Sequence, residues 1–90
     1  MVEGTVKVVN FLGLHARAAG QLVRLAGNFR SRIILEREDG RAEADGRSML
    51  SLLMLAASKD TVLKISVEGD DETEAFEAVV SLLENGFGEK

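Results

Sequence analysis

The chain has 90 residues, so we expect one domain, spanning residues 1–90, with a single small hydrophobic core. Its net charge of −4 mixes acidic and basic residues, and its only aromatic side chains are four phenylalanines, which argues against a nucleic-acid-binding protein. Cysteine is absent, which excludes disulfides and thiolate metal sites and fits a reducing compartment.

Targeting and membrane signals are also missing from the sequence. The N-terminus has no charged segment followed by a long apolar stretch, so no signal peptide is predicted. No apolar run approaches the ~20 residues that span a bilayer. We therefore expect a soluble, cytoplasmic protein without membrane insertion, and a monomer.

The first half of the chain predicts a strand, a helix and a second strand. Val2 to Val9 is rich in β-branched residues and partly alternates, which is typical of a strand. After a loop over Asn10 to Leu14, Ala16 to about Asn28 has apolar residues at helical spacing, with Gly27 as a stop signal. Ser31 to Glu38 is apolar at its centre and predicts the second strand.

The second half predicts a hairpin, a short helix, a strand and a last helix. The hairpin signal Asp39-Gly40 is followed by a short polar edge strand from Arg41 to Ala44. A helix that is apolar on nearly every side follows from Met49 to Ala57. Thr61 to Glu68 alternates and predicts a strand, and Asp71 to Glu84 carries one apolar helical face.

The element order β-α-β-β-α-β-α indicates the α+β class. We expect an open-faced β-sandwich, in which three helices cover one face of a four-stranded antiparallel sheet. A ferredoxin-like arrangement is the nearest alternative, because hydrophobic periodicity alone does not separate the two topologies.

The only histidine, His15, lies in the run from Gly13 to Gly20, where the loop ends and the first helix begins. A helix start offers free backbone N–H groups and the positive end of the helix dipole, which together attract anions. Arg17 adds a cation in the first turn, where the dipole disfavours one unless an anion visits. A lone histidine is more often a solvated or capping side chain, but this position also suits a phosphoryl acceptor, since neutral imidazole is nucleophilic.

The short apolar helix is the second unusual segment. Ser48 precedes it and is most simply its N-cap, although a phosphate would also be tolerated at that helix start. A helix this short cannot bury every side in so small a protein, so part of its apolar surface should stay exposed and suits a docking surface. The residues expected to form this surface are Met49, Leu50, Leu53 and Met54.

These residues carry a resemblance to the HPr family, the histidine-containing phosphocarriers of the bacterial sugar phosphotransferase system. The stretch Gly13-Leu14-His15-Ala16-Arg17 is similar to the family's active-site signature. Ser48 with its apolar helix resembles the regulatory-serine region, and Val67 to Asp71 resembles the strand end before the last helix. The resemblance covers essentially the whole chain.

The resemblance implies a phosphoryl relay rather than a turnover enzyme. Enzyme I would phosphorylate His15 on Nδ1, Arg17 would assist, and a IIA domain would accept the group. Arg24 and Arg47 sit where basic residues of the family help to dock partners, beside the apolar helix. Phosphorylation of Ser48 would require an HPr kinase/phosphorylase as a further partner. No cofactor and no metal is implied.

Three features depart from the family pattern. Ala18 stands where the family usually has proline, which removes a helix-start device. Gly20 inside the helix costs about 1 kcal/mol relative to alanine. The hairpin at Asp39-Gly40 is about two residues longer, which moves the regulatory serine to Ser48.

Two other functions compete with the relay. A regulatory protein of the same fold would bind targets without carrying phosphate, but relatives of that kind lack the histidine. A ferredoxin-like ligand-binding or metal-binding domain would need ligands that the sequence does not offer. The sequence leaves open which IIA domain accepts the group, and whether the relay serves sugar uptake or a nitrogen-linked branch.

Overall fold

The computed structural model describes residues 1–89. It contains four strands, three α-helices and a terminal 3₁₀ turn. In chain order these are β1 (Val2–Lys7), α1 (Ala16–Ala26), β2 (Arg32–Arg37), β3 (Glu43–Asp45), α2 (Met49–Met54), β4 (Val62–Glu68), α3 (Glu72–Glu84) and the 3₁₀ turn (Gly86–Gly88).

The strands form one sheet in the order β1-β4-β2-β3, and every neighbouring pair is antiparallel. Lys7 lies opposite Val62 and Val2 opposite Val67, so β1 and β4 pair over their whole length. The predicted open-faced sheet with three helices is confirmed. The ferredoxin-like alternative is wrong, because its sheet has β1 and β3 at the centre and β4 at an edge, whereas here β4 and β2 are central and β1 and β3 form the edges.

Alternation along the strands decides which face of the sheet meets the helices. In β4, Leu63, Ile65 and Val67 are buried, whereas the side chains between them are partly exposed. Helix α3 packs on β1, β4 and β2, while α1 lies against α2 and α3, and α2 also contacts β3. All three helices therefore cover the same side, and burying each large aliphatic side chain there contributes roughly 1.5–3 kcal/mol.

Four elements end earlier than the sequence predicts: β1, α1, α2 and β2, which ends at Arg37 instead of Glu38. Strand β1 stops at Lys7 instead of Val9, although Val8 stays buried and its N–H donates to the Thr61 carbonyl at 2.9 Å. Helix α1 stops at Ala26 instead of Asn28, because Gly27 caps it and the chain then turns into β2. The third strand is also shorter than predicted, with Glu43–Asp45 in place of Arg41 to Ala44.

Helix α2 ends at Met54, three residues before the predicted Ala57. The guanidinium of Arg37 donates to the carbonyls of Leu55 at 3.0 Å and Ala56 at 3.1 Å, so these two acceptors bind a side chain from the sheet. Ala56 has a φ of 51°, which takes the chain out of the helix. Arg37 also donates to Asp39, and this hydrogen bond holds the pKa of the Asp39 carboxyl below its ordinary value.

No helix in residues 1–89 is long and apolar enough to cross a membrane.

Candidate functional site

His15 is the N-cap residue of α1. Its backbone is extended (φ −80°, ψ 179°), and its carbonyl accepts the Ala19 N–H at 2.8 Å, the first hydrogen bond of the helix. Its ring nitrogen Nδ1 faces the Arg17 backbone N–H at 3.3 Å. The imidazole therefore caps the helix and lies at the positive end of its dipole, where the sequence placed it.

The other ring nitrogen of His15 meets a carboxylate from the far end of the chain. Nε2 lies 2.5 Å from Oε2 of Glu89, and both side chains are mostly shielded, with 22% of His15 and 17% of Glu89 exposed. The second carboxylate oxygen accepts the side-chain amide of Asn10 at 3.0 Å. That hydrogen bond, with further contributions from His15 and Arg17, holds the pKa of Glu89 below its ordinary value against the opposing effect of burial.

These contacts determine which nitrogen of His15 carries the proton. An ionised carboxylate only accepts hydrogen bonds, so Nε2 must donate to Glu89. The Arg17 backbone N–H only donates, so Nδ1 must carry the lone pair. The arrangement thus presents a nucleophilic Nδ1 and a protonated Nε2.

Two side chains of opposite charge, Arg17 and Glu89, lie near the imidazole. Arg17 is exposed in the first turn of α1, which has no acidic residue, and its positive charge acts on Glu89. Glu89 therefore brings a negative charge to a site at which the sequence predicted only positive charge, from the helix dipole and Arg17.

Sequence reasoning missed both Glu89 and Asn10. Glu89 follows Gly86-Phe87-Gly88, and an aromatic residue between two glycines after a helix was the one available sign of an ordered terminal turn. Asn10 lies in the predicted loop, yet it is only 3% exposed and its amide also donates to the Gly13 carbonyl at 2.7 Å.

A shallow depression of about 180 Å³ lies beside His15. Leu12 and Leu14 line it from the loop before α1, and residues 56–58 line it from the segment after α2. The segment that follows the predicted docking helix therefore reaches His15.

Gly13 makes the close approach between these two segments possible. Its φ is +68°, and a Cβ atom there would lie 2.5 Å from the Ala57 carbonyl oxygen and 2.8 Å from Ser58 Cα. The next residue, Leu14, donates its N–H to the same Ala57 carbonyl at 2.8 Å. The loop that carries His15 therefore packs directly against the backbone of Ala57 and Ser58.

The apolar patch is defined here as the four exposed side chains Met49, Leu50, Leu53 and Met54 of α2. Leu50 and Met54 are each 69% exposed, whereas Met49 and Leu53 are little more than one-third exposed. Phe11 and Leu12, in the loop before His15, are also strongly exposed, and sequence reasoning did not single them out. Exposed apolar surface therefore lies both on α2 and on the loop before His15.

Ser48 is the N-cap of α2, as its position predicted. Its half-buried side chain accepts the Ser51 backbone N–H at 3.2 Å through Oγ. The hydroxyl is thus engaged in capping, yet the side chain is still partly accessible.

The basic residues are spread along the helices rather than gathered at His15. Arg17 is near the imidazole, but Arg24 lies seven residues further along α1, a rise of about 10 Å. The Arg47 guanidinium donates to the Ser31 carbonyl at 3.1 Å and to the Phe29 carbonyl, so it braces the segment between α1 and β2. Within residues 1–89 no group of three or more His, Cys, Asp or Glu side chains could hold a metal ion.

Comparison with known protein families gives one match over most of the chain. The family described as "PTS HPr component phosphorylation site" matches residues 2–85. The match includes His15, Arg17 and Ser48, and it ends before Glu89.

Similar proteins carry phosphocarrier names. The phosphocarrier protein HPr of Neisseria meningitidis serogroup A is 38% identical over 89 residues, covering 99% of this chain and 98% of the relative. The phosphocarrier protein NPr of Escherichia coli K12 is 38% identical over 88 residues, covering 98% and 97%.

Among solved structures, HPr of Thermoanaerobacter tengcongensis superposes with a TM-score of 0.92 at 40% identity, covering 100% of this chain and 99% of that one. A dimer of that HPr has also been solved, and its chain gives a TM-score of 0.76.

Replacing Gly13 with alanine should destabilise the protein by about 1–3 kcal/mol, because the new methyl group would be forced against Ala57 and Ser58 from a strained backbone. Thermal and urea unfolding measure the loss. Gly40→Ala is the matched control, since Gly40 also has a positive φ, +76°, but no atom lies within 4 Å of its added Cβ. Equal losses in the two variants would show that strain alone acts and that the close approach at Gly13 is unimportant.

Proposed function

The chain belongs to the HPr family of phosphocarriers of the phosphotransferase system, and we propose that His15 is the residue that carries its phosphoryl group. One observation carries the proposal: His15 caps α1 with Nδ1 facing the Arg17 backbone N–H and Nε2 facing the Glu89 carboxylate, contacts that favour the proton on Nε2 and the lone pair on Nδ1. We propose further that the protein relays phosphate as a cytoplasmic monomer consisting of a single domain.

In the proposed reaction, the Nδ1 lone pair gives up its hydrogen bond from the Arg17 backbone N–H and attacks the phosphorus held by phosphorylated enzyme I. A phosphorus–nitrogen bond forms at His15 while the bond to the donor breaks, and the donor atom keeps that electron pair. A IIA domain then receives the group by the same displacement. The proton on Nε2 stays in place throughout.

The start of α1 suits a group that must arrive and leave. Its free N–H groups and Arg17 face the incoming phosphoryl oxygens, and the dipole contributes roughly 0.3–1 kcal/mol at such a site. This stabilisation is modest, which matches a relay, because tight binding would trap the group.

We propose that the apolar patch docks enzyme I and the IIA domain in turn. Its support is the exposure of Leu50 and Met54 together with the depression that joins the end of α2 to His15. Arg17, Arg24 and Arg47 would supply positive charge around this surface, which mainly affects the rate of association.

We also propose that Ser48 is a regulatory phosphorylation site for an HPr kinase/phosphorylase. A phosphate there adds about −1.5 to −2 charges at a helix start, which accommodates it. The same charge would lie beside Met49 and Leu50 and would repel acidic partner surfaces.

His15→Ala should accept no phosphoryl group from phosphoenolpyruvate and enzyme I, because the attacking nitrogen is gone. Intact-mass measurement detects the transfer, and in the parent the label should be lost in acid and survive in alkali, as expected of a phosphoramidate. The circular dichroism of the variant should match the parent. Labelling of His15→Ala at the parent rate would refute the proposal.

The same assay isolates the contribution of Arg17. Arg17→Ala keeps the acceptor nitrogen and should slow the transfer while changing stability by less than about 0.5 kcal/mol. Arg32→Ala, at an exposed position on β2, removes the same charge and should transfer at the parent rate.

Leu50→Asp should weaken transfer from enzyme I and transfer to the IIA domain together, because one patch is proposed to meet both partners. Initial rates at limiting partner concentration measure each step. Thr5→Asp adds the same charge on β1, the sheet edge opposite the strand that α2 contacts, and should leave both rates unchanged. A loss in only one of the two transfers with Leu50→Asp would contradict a shared surface.

Ser48→Asp should slow phosphorylation of His15 by enzyme I with little change in melting temperature, because the charge suits the helix start but not the docking partner. Thr73→Asp, at an exposed position in the first turn of α3, places a like charge at another helix start and should not affect transfer. Ser48→Ala should lose about 1 kcal/mol of capping energy and relay normally. Relay by Ser48→Asp at the rate of Thr73→Asp would reduce Ser48 to a helix cap.

A further inference from the structure

We propose that Glu89 is a positioning residue for phosphoryl transfer, holding His15 through Nε2 so that Nδ1 faces the phosphorus. The inference rests on the proposed role of His15 as the phosphoryl acceptor. Glu89 does not touch the phosphoryl group in this proposal, because it acts on the opposite side of the imidazole ring.

Both oxygens of the Glu89 carboxylate are used. Oε2 accepts from His15 at 2.5 Å and Oε1 accepts from Asn10 at 3.0 Å. The carboxylate therefore cannot rotate without losing a partner, and the plane of its two hydrogen bonds orients the imidazole.

Asn10 is itself held in a single orientation. Its amide nitrogen donates to both the Gly13 carbonyl and Glu89, whereas its Oδ1 is buried and has no hydrogen-bond partner among residues 1–89. A flipped amide would place Oδ1 against two acceptors, so the observed orientation is the one that satisfies both. A buried oxygen without a hydrogen-bond partner is destabilising. The two hydrogen bonds that the Asn10 amide donates to Gly13 and Glu89 offset this cost.

The segment that delivers Glu89 is anchored by packing. Phe87 is 4% exposed, and its carbonyl accepts the Gln21 side-chain amide at 3.2 Å. Gly86 and Gly88 have φ of 60° and 76°, values that allow the chain to turn back towards α1 after α3 ends. Glu89 therefore reaches His15 from a turn that is held in place by the buried Phe87.

The chemistry explains why a carboxylate helps at this nitrogen. When Nδ1 bonds to phosphorus, the ring gains positive charge, and the hydrogen bond from Nε2 to Glu89 becomes charge-assisted on both sides. In the onward step the phosphorus–nitrogen bond breaks and its electron pair returns to Nδ1. Because Glu89 has kept the proton on Nε2, neutral imidazole leaves rather than the much poorer imidazolate anion. No proton has to move in either direction.

Glu89→Gln tests this role, because glutamine keeps the shape but offers one acceptor oxygen where two are needed. We expect the kcat for phosphorylation by enzyme I to fall about tenfold with an unchanged KM, since the apolar patch is intact and only part of the ring charge develops in a loose transition state. Glu77→Gln removes the same charge from an exposed position on α3 and should match the parent. Glu89→Asp keeps both acceptors on a shorter side chain and should recover part of the rate.

Nitrogen-15 NMR of the His15 ring separates positioning from a purely structural effect. At a pH above the ordinary imidazole range, the parent and Glu77→Gln should show the proton on Nε2 and the lone pair on Nδ1. In Glu89→Gln these two signals should move towards each other as both tautomers become populated. Thermal unfolding should be alike in the three proteins.

The outcomes distinguish this inference from the proposed function. If His15 remains the labelled residue but Glu89→Gln keeps the parent kcat and ring signals, the positioning role is wrong and the relay stands. A slower Glu89→Gln with unchanged ring signals, or a faster one, would also overturn it. Labelling of His15→Ala would instead remove the premise.

Discussion

The pairing of β4 with β1 is the constraint on which the site depends. Because the two strands are antiparallel and in register from end to end, β4 begins beside the point where β1 ends and enters the loop to His15. Strand β4 then rises about 23 Å over seven residues, and α3 returns about 20 Å over 13 residues. The end of α3 is therefore carried back towards His15, and two residues 74 positions apart in the chain meet there.

The loop that carries His15 is held from three directions. Backbone from the α2–β4 connection meets Gly13 and Leu14, α1 begins directly at His15, and the terminal turn supplies Glu89. Each contact comes from a different part of the fold, so the imidazole is oriented although it lies at the surface. This combination suits a residue that must be reached by partner proteins yet present one particular nitrogen to them.

Helix α2 is anchored to the rest of the fold on one side and exposes apolar side chains on the other. Leu52 is buried in the core, Ser48 caps the helix start, and Arg37 binds the carbonyls after its end. With both ends bound, so short a helix can leave Leu50 and Met54 in solvent without unravelling. The exposure of this apolar surface therefore depends on how the helix is anchored, and the segment that follows the helix lines the depression at His15.

The sequence by itself determined the elements and their order, because helical and alternating periodicities are local properties of ten or so residues. It also located His15 and Ser48 at helix starts, since capping is a local signal. The stretch from Gly13 to Arg17, which resembles the active-site signature, identified the family. Only the tertiary structure decided the sheet order and the early end of α2, after which Arg37 binds the carbonyls of Leu55 and Ala56. It alone brought Glu89 and Asn10 to the imidazole, because no periodicity links residues 74 positions apart, and a carboxylate that looks like any other charged tail becomes significant only when the strands and α3 have folded it into place.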